Sequence, residues 1–191
     1  GMGEPFLNYD NVLGAAHILC EPSGGGVGAK AITICTAGVT PRIVQFTREG
    51  HKFRLGISIV TARRDQRRAL MPVEDRWPIE GVIEAVRDHH ARTGRLAMAA
   101  YVLFGGYNTT DEDARLLGEL LRGLPVRLSL VEYNPIDARF RRPTREEFSR
   151  FRTAVGRLGI PVVWRYTGGK DVGAACGLLE TRGEGACAEP V

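Results

Sequence analysis

Lysine is nearly missing from this chain. Apart from Lys30, Lys52 and Lys170, its positive charge is carried by arginine. The planar, permanently charged guanidinium suits phosphate and carboxylate recognition, although GC-rich coding gives the same bias. Cysteine is also sparse, with four residues at positions 20, 35, 176 and 187. They are too scattered for a disulfide framework or a zinc ribbon, which points to a reducing, cytoplasmic setting. No apolar run approaches the roughly 20 residues of a membrane-spanning helix. No secretory leader is expected before the first helical pattern. The composition therefore argues against stapled secreted domains and membrane proteins.

What is present suffices for one domain: 191 residues, 43% of them hydrophobic, with a net charge of +4. Helical spacing of apolar residues runs over 8–19, 40–49, 78–93, 111–122 and 144–158, with a shorter basic helix at 63–70. Thr40 followed by Pro41, Thr110 before three acidic residues, and the Thr144-x-x-Glu147 box supply helix starts. Between the helices lie apolar runs at 31–36, 53–60, 96–104, 126–131 and 161–166, read as buried parallel strands. Strands alternating with helices predict an α/β fold with a mostly parallel sheet. Residues 181–191 are rich in Gly, Glu and Ala and are expected to be a disordered tail, leaving 1–180 as the domain.

Several residues carry possible chemistry. Cys176 sits in Gly173-Ala174-Ala175-Cys176-Gly177, among small neighbours that leave a thiol reachable. Asp171 can cap a following helix, and Lys170 is close enough to favour the thiolate. By spacing alone Cys176 is either a buried structural cysteine or a nucleophile. Arginines 63, 64, 67 and 68 form either a solvated helix face or a phosphate contact. Arg139, Arg141 and Arg142 surround Phe140 in a loop, a pattern suited to phosphate contact with base stacking. His89 and His90 close a helix, where positive charge is favoured.

The stretch GKDVGAACGLL resembles the C-terminal signature of the RlmN/Cfr family of radical S-adenosylmethionine RNA methyltransferases, usually close to GDDIDAACGQL. The opening Gly1-Met2-Gly3-Glu4-Pro5 is similar to that family's cofactor-binding turn, and Tyr133-Asn134-Pro135 to its YNP turn. The run AITICT resembles VTVSTSG, with Cys35 at a serine position, and FRLGISIV resembles VNLAISLHA, with Ser58 kept and Val60 at the histidine position. Ala100 stands where a glutamate is usual, and Asn108 is kept in a loop that loses its acidic residues.

The resemblance implies the later part of an open (β/α)6 radical SAM barrel, with its first two strands missing. It implies S-adenosylmethionine held by Gly3, Glu4, Cys35, Ser58 and Asn134, and a methyl-carrying catalytic Cys176. It also implies RNA substrates, 23S rRNA or tRNA, methylated at adenine C2, with Arg139, Arg141 and Arg142 as RNA contacts. In the family three thiolates of a CxxxCxxC loop ligate a 4Fe-4S cluster. No such motif occurs in this sequence, so the expectation is an N-terminally truncated chain that is inactive alone. The alternative is a degenerate member that binds RNA or a nucleotide without catalysis. Loss of the first strands is expected to bare the edge of 31–36 and to favour self-association.

Overall fold

The computed structural model describes residues 3–135 and 139–165. The Cys176 loop, the last residue of the strand expected over 161–166 and the tail 181–191 lie outside the described residues. Five strands form one sheet: β1 (Thr33–Thr36), β2 (Arg54–Ser58), β3 (Ala97–Leu103), β4 (Val126–Glu132) and β5 (Val162–Arg165). Their spatial order follows the sequence, β1-β2-β3-β4-β5, and every neighbouring pair is parallel. Parallel neighbours need a crossover, and helices supply it. These are α1 (Tyr9–Cys20), α2 (Thr40–Glu49), α3 (Arg64–Leu70), α4 (Ile79–Thr93), α5 (Asp111–Leu120) and α6 (Arg145–Gly156).

The sheet has one covered face and one open face. Strand residues alternate sides, and Ile34, Leu55, Ile57, Ala97, Ala99, Tyr101, Leu103, Val126, Leu128 and Leu130 all join the helices in a single core. The register brings the opposite set together in rungs: Cys35 with Gly56, Met98 and Arg127, then Ser58 with Ala100, Ser129 and Val163. On this side Arg54, Arg127 and Arg165 are exposed. Among the described residues, the strands read as buried runs are therefore covered by helices on one side only. In β1 the run began two residues early, since Ala29–Ala31 is a 3-10 turn.

Helix starts follow the sequence signals at Thr110 and Thr144, where both capping boxes form. The start of α2 differs. Thr40 caps nothing there; the buried Thr36 hydroxyl accepts from the Gly38 and Val39 amides at 3.0 and 3.2 Å and turns the chain into the helix. In α1, Leu13 and Ala16 are buried, but Ile18 and Leu19 are exposed, so its apolar stripe is narrower than the periodicity suggested. No helix among the described residues is long and apolar enough to cross a membrane.

His89 corrects a further expectation. It is buried, with Nδ1 2.9 Å from the Thr47 hydroxyl, and burial holds its pKa below the ordinary value. It is a neutral packing residue and not a helix-end cation. A histidine that resists protonation when folded stabilises fully above its unfolded pKa of 6.5 and loses that contribution as pH falls from there through its lower folded pKa. Urea unfolding of the wild type should therefore weaken between pH 7 and 5 more steeply than that of His89→Leu. Parallel pH slopes would contradict a buried neutral His89.

Candidate functional site

The C-terminal ends of parallel strands are where open α/β sheets place their ligands. Here those ends are tied to one another by a chain of side chain to backbone hydrogen bonds. The Glu4 carboxylate accepts from the Phe6 amide at 3.0 Å and the Ala37 amide at 2.6 Å, joining the N-terminal turn to the loop after β1. Gly3 before it has φ of +93°, a conformation that glycine tolerates and other residues rarely adopt.

Arg67 makes the next tie. It is 1% exposed. Its Nη2 donates to the Ala37 carbonyl at 2.9 Å, and its Nη1 to the Ser58 and Ile59 carbonyls at 2.9 and 2.7 Å. Its Nε donates to Glu74 at 2.8 Å, and Glu74 is fully buried. The loops after β1 and β2 are thus held by one guanidinium. Burial lowers the Arg67 pKa, and the Glu74 carboxylate opposes that shift.

Asn108 ties β2 to β3. Fully buried, it donates from Nδ2 to the Val60 and Val102 carbonyls at 2.7 and 2.8 Å and accepts from the Phe104 amide at 2.8 Å. Val60 has φ of +62°, the one positive φ outside glycine among the described residues. The Thr61 amide reaches back to the Ile59 carbonyl at 2.7 Å, closing a tight three-residue turn around it. A β-branched residue held this way costs about 1–3 kcal/mol, and such strain concentrates at functional sites.

Beyond β4, Asn134 is buried and its Oδ1 accepts from Arg142 at 2.7 Å. Arg142 also donates to the Tyr133 carbonyl at 3.2 Å. The loop after β3 meets this segment at Gly105, whose amide donates to the Arg141 carbonyl at 2.9 Å. A Cβ on Gly105 would lie 2.5 Å from the Arg142 carbonyl oxygen, so only glycine admits the approach.

No family model matches the chain. A probable RNA methyltransferase of Anaeromyxobacter sp. (strain Fw109-5) is 50% identical over 184 residues, covering 95% of this chain and 54% of that protein. A probable dual-specificity RNA methyltransferase RlmN of Heliobacterium modesticaldum is 41% identical, covering 97% of this chain and 48% of its own length. The crystal structure of a radical SAM methyltransferase from Sphaerobacter thermophilus superposes with a TM-score of 0.86 at 40% identity, over 93% of this chain and 52% of that one. Over nearly its whole length the chain is related to RlmN-type radical SAM methyltransferases. It spans about half the length of the curated relatives it matches. A domain of a pyruvate-formate lyase-activating enzyme from Bacteroides vulgatus shares the fold alone, with a TM-score of 0.62 at 16% identity.

The five-stranded sheet is thus part of a radical SAM (β/α) barrel. Of the RlmN-type site residues named from sequence, Gly3 and Glu4 lie beside the loop after β1, Ser58 ends β2, and Asn134 follows β4. Cys35 lies on the open face with its sulfur over Gly56, where a Cβ would be 2.6 Å from it. Glu4 spends both oxygens on backbone amides, so its first duty is to hold the rim. Arg139 is exposed, with its guanidinium 5.7 Å from the Phe140 ring centre. Arg141 pairs with Glu147 at 2.6 Å, and Arg142 holds Asn134. Phe140 packs on Phe104 and Tyr107, with ring centres 4.9 and 5.2 Å away.

The basic helix is a solvated face in part, with Arg64 and Arg68 exposed, but not throughout. Arg63 pairs with Asp113 at 2.7 Å, Arg68 pairs with Asp75, and Arg67 is the buried clamp. Sequence reasoning missed Arg67 because nothing in four near-adjacent arginines distinguishes the inward one. Arg67→Ala should cost about 3–5 kcal/mol, since it strands a buried carboxylate. Arg67→Ala with Glu74→Leu should recover part of that loss. Chemical denaturation measures both, and a single-variant loss under about 1 kcal/mol, the range of an exposed pair, would contradict the clamp.

Proposed function

We propose that the rim binds the nucleoside part of S-adenosylmethionine and belongs to an RlmN-like adenine-C2 methyltransferase acting on 23S rRNA or tRNA in the cytoplasm. The observation that carries this reading is the shared placement of Ser58 and Asn134 at the strand ends, with Cys35 one rung below on the same face. Small neighbours support the fit: Gly56 and Ala100 leave the sheet beside Cys35 and Ser58 free of bulky side chains. Ser58 and Asn134 would orient the nucleoside, Gly3 would let backbone approach it, and Glu4 would keep the turn in place. Bound there, S-adenosylmethionine supplies the methyl group. Cys176, the methyl carrier in this reading, and the RNA contacts Arg139, Arg141 and Arg142 complete the assignment.

A 4Fe-4S cluster does not fit the residues of this chain. Its sequence holds no CxxxCxxC, and among the described residues no three His, Cys, Asp or Glu side chains gather to hold a metal. No step is assigned through a cluster, and the 191-residue chain alone is proposed to be inactive in methyl transfer. The outer edge of β1 is unpaired among the described residues and is proposed to favour self-association. Val60 favours a second reading, a non-catalytic nucleotide or RNA binder. It keeps the strained turn but offers no side-chain hydrogen bond at the position of the family's histidine.

Titration calorimetry tests the first reading. The chain should bind S-adenosylmethionine and 5′-methylthioadenosine with affinities within about fivefold, because the amino and carboxylate groups have no cluster to chelate. Ser58→Ala and Asn134→Ala should each weaken binding by roughly 5–30-fold, the range of one lost buried hydrogen bond. Binding that neither variant changes would overturn the site.

A further inference from the structure

The open face carries a second concentration of polar chemistry, a cluster of positive charge. A basin of about 530 Å³ runs from the segment before β1 across the first halves of β2, β3 and β4 to β5. Six cations line it: Lys30, Lys52, Arg54, Arg95, Arg127 and Arg165. No carboxylate is among its lining residues. The sheet explains the grouping. Arg127 stands level with Met98, and Arg165 with Val131, so both project from the uncovered side with Arg54. Neighbouring strands lie about 5 Å apart and Arg127 is level with Gly56, two residues beyond Arg54, which sets Arg54 and Arg127 about 12 Å from each other across β3.

Several surface arginines elsewhere are matched. Arg68 pairs with Asp75, Arg92 with Asp88, Arg115 with Glu112 and Glu119, and Arg141 with Glu147. Among the described residues none of the six basin cations has a carboxylate partner, and Arg95 alone donates to a backbone carbonyl, that of His51. Six like charges held on one face without counter-charge repel one another, and a polyanion relieves that repulsion.

We infer that this basin is a second RNA-contacting surface that takes the phosphodiester backbone, centred on the starts of the strands and reaching the rung of Cys35 at Arg127 and past that of Ser58 at Arg165. Its ligands are side chains from β2, β4 and β5 and from the segments that precede β1, β2 and β3. No glycine-rich loop or helix N-terminus, the usual holder of a terminal phosphate, contributes. This favours an extended backbone over a small phosphorylated nucleotide. The choice of RNA rests on the methyltransferase reading; the binding of a phosphate polymer rests on the basin alone.

The test is fluorescence anisotropy of a labelled single-stranded RNA of about 20 nucleotides, titrated with the chain over a series of KCl concentrations. Neutralising three basin cations, Arg54→Gln, Arg127→Gln and Arg165→Gln together, should flatten the slope of log K against log salt by about 2. That is the release expected for three contacts at about 0.7 each on a single strand. All three side chains are exposed, so the fold is retained, and unchanged thermal unfolding checks this. The lysine versions of the same three should keep the wild-type slope. A control with equal charge loss, Arg48→Gln, Arg145→Gln and Arg157→Gln, should change the slope by less than half as much. Equal losses in the two sets would overturn the proposal, leaving net charge as the cause. So would displacement of the RNA by ATP or by polyglutamate at equal charge concentration, which would mark a small-nucleotide or protein site. Failed S-adenosylmethionine calorimetry alongside a positive RNA result removes the cofactor reading and leaves the basin standing.

Discussion

One buried guanidinium holds the rim together. Arg67 divides its donors among a carboxylate and three carbonyls, and those carbonyls belong to the two loops that follow β1 and β2. Carbonyls at the end of a parallel strand have left the sheet ladder and need donors if they are to be buried. Water would serve in an open loop; here a fixed cation serves and leaves no freedom in loop position. Burying the Arg67–Glu74 pair costs desolvation that its own attraction only partly offsets. Its contribution is geometric specification: the same atoms cannot be satisfied with the loops apart.

From that clamp the order spreads along the rim. Gly38 lies beneath it with φ of +126°, and a Cβ there would sit 2.8 Å from Val82, so α4 and the loop after β1 meet only through glycine. Asn108 extends the tie to β3 and holds Val60 in its strained turn. Arg142 then fixes Asn134 after β4. A site built this way is organised before any ligand arrives, which lowers the ordering cost of binding. The Arg141–Glu147 pair belongs to the same frame, and the Arg141 guanidinium holds the Glu147 carboxyl down at about 2.

Much of the fold was legible in the sequence because its signals are local. The cap at Thr110 and the capping box at Thr144 formed as written, and the apolar faces of residues 79, 82, 83 and 86 are buried. The motifs around Gly3-Glu4, Ser58 and Asn134 fall together at one edge of the sheet, since loops at strand ends carry short, distinctive residue patterns. What stayed hidden were partners far apart in sequence. Glu4 meets Ala37, and Arg67 meets Ala37 as well, across about 30 residues that no periodicity links. Sidedness was hidden too: LAMAAYVLF looks uniformly apolar, yet only its Ala97, Ala99, Tyr101 and Leu103 face the helices. The basin escaped notice because its six cations come from five separate segments.

The open face thus carries two chemistries, a small-residue rim with hydrogen-bonding groups and a basic floor. The rim is the central claim, and amide chemical-shift mapping reads it residue by residue. Titrating S-adenosylmethionine into the 15N-labelled chain should move the Gly38, Ser58, Val60 and Asn134 amides together with a single saturation curve. Amides of Arg54 and Arg127, at the basic floor, should move little. Shifts confined to the floor or scattered over the helices, or none at saturating ligand, would contradict the rim as the cofactor site.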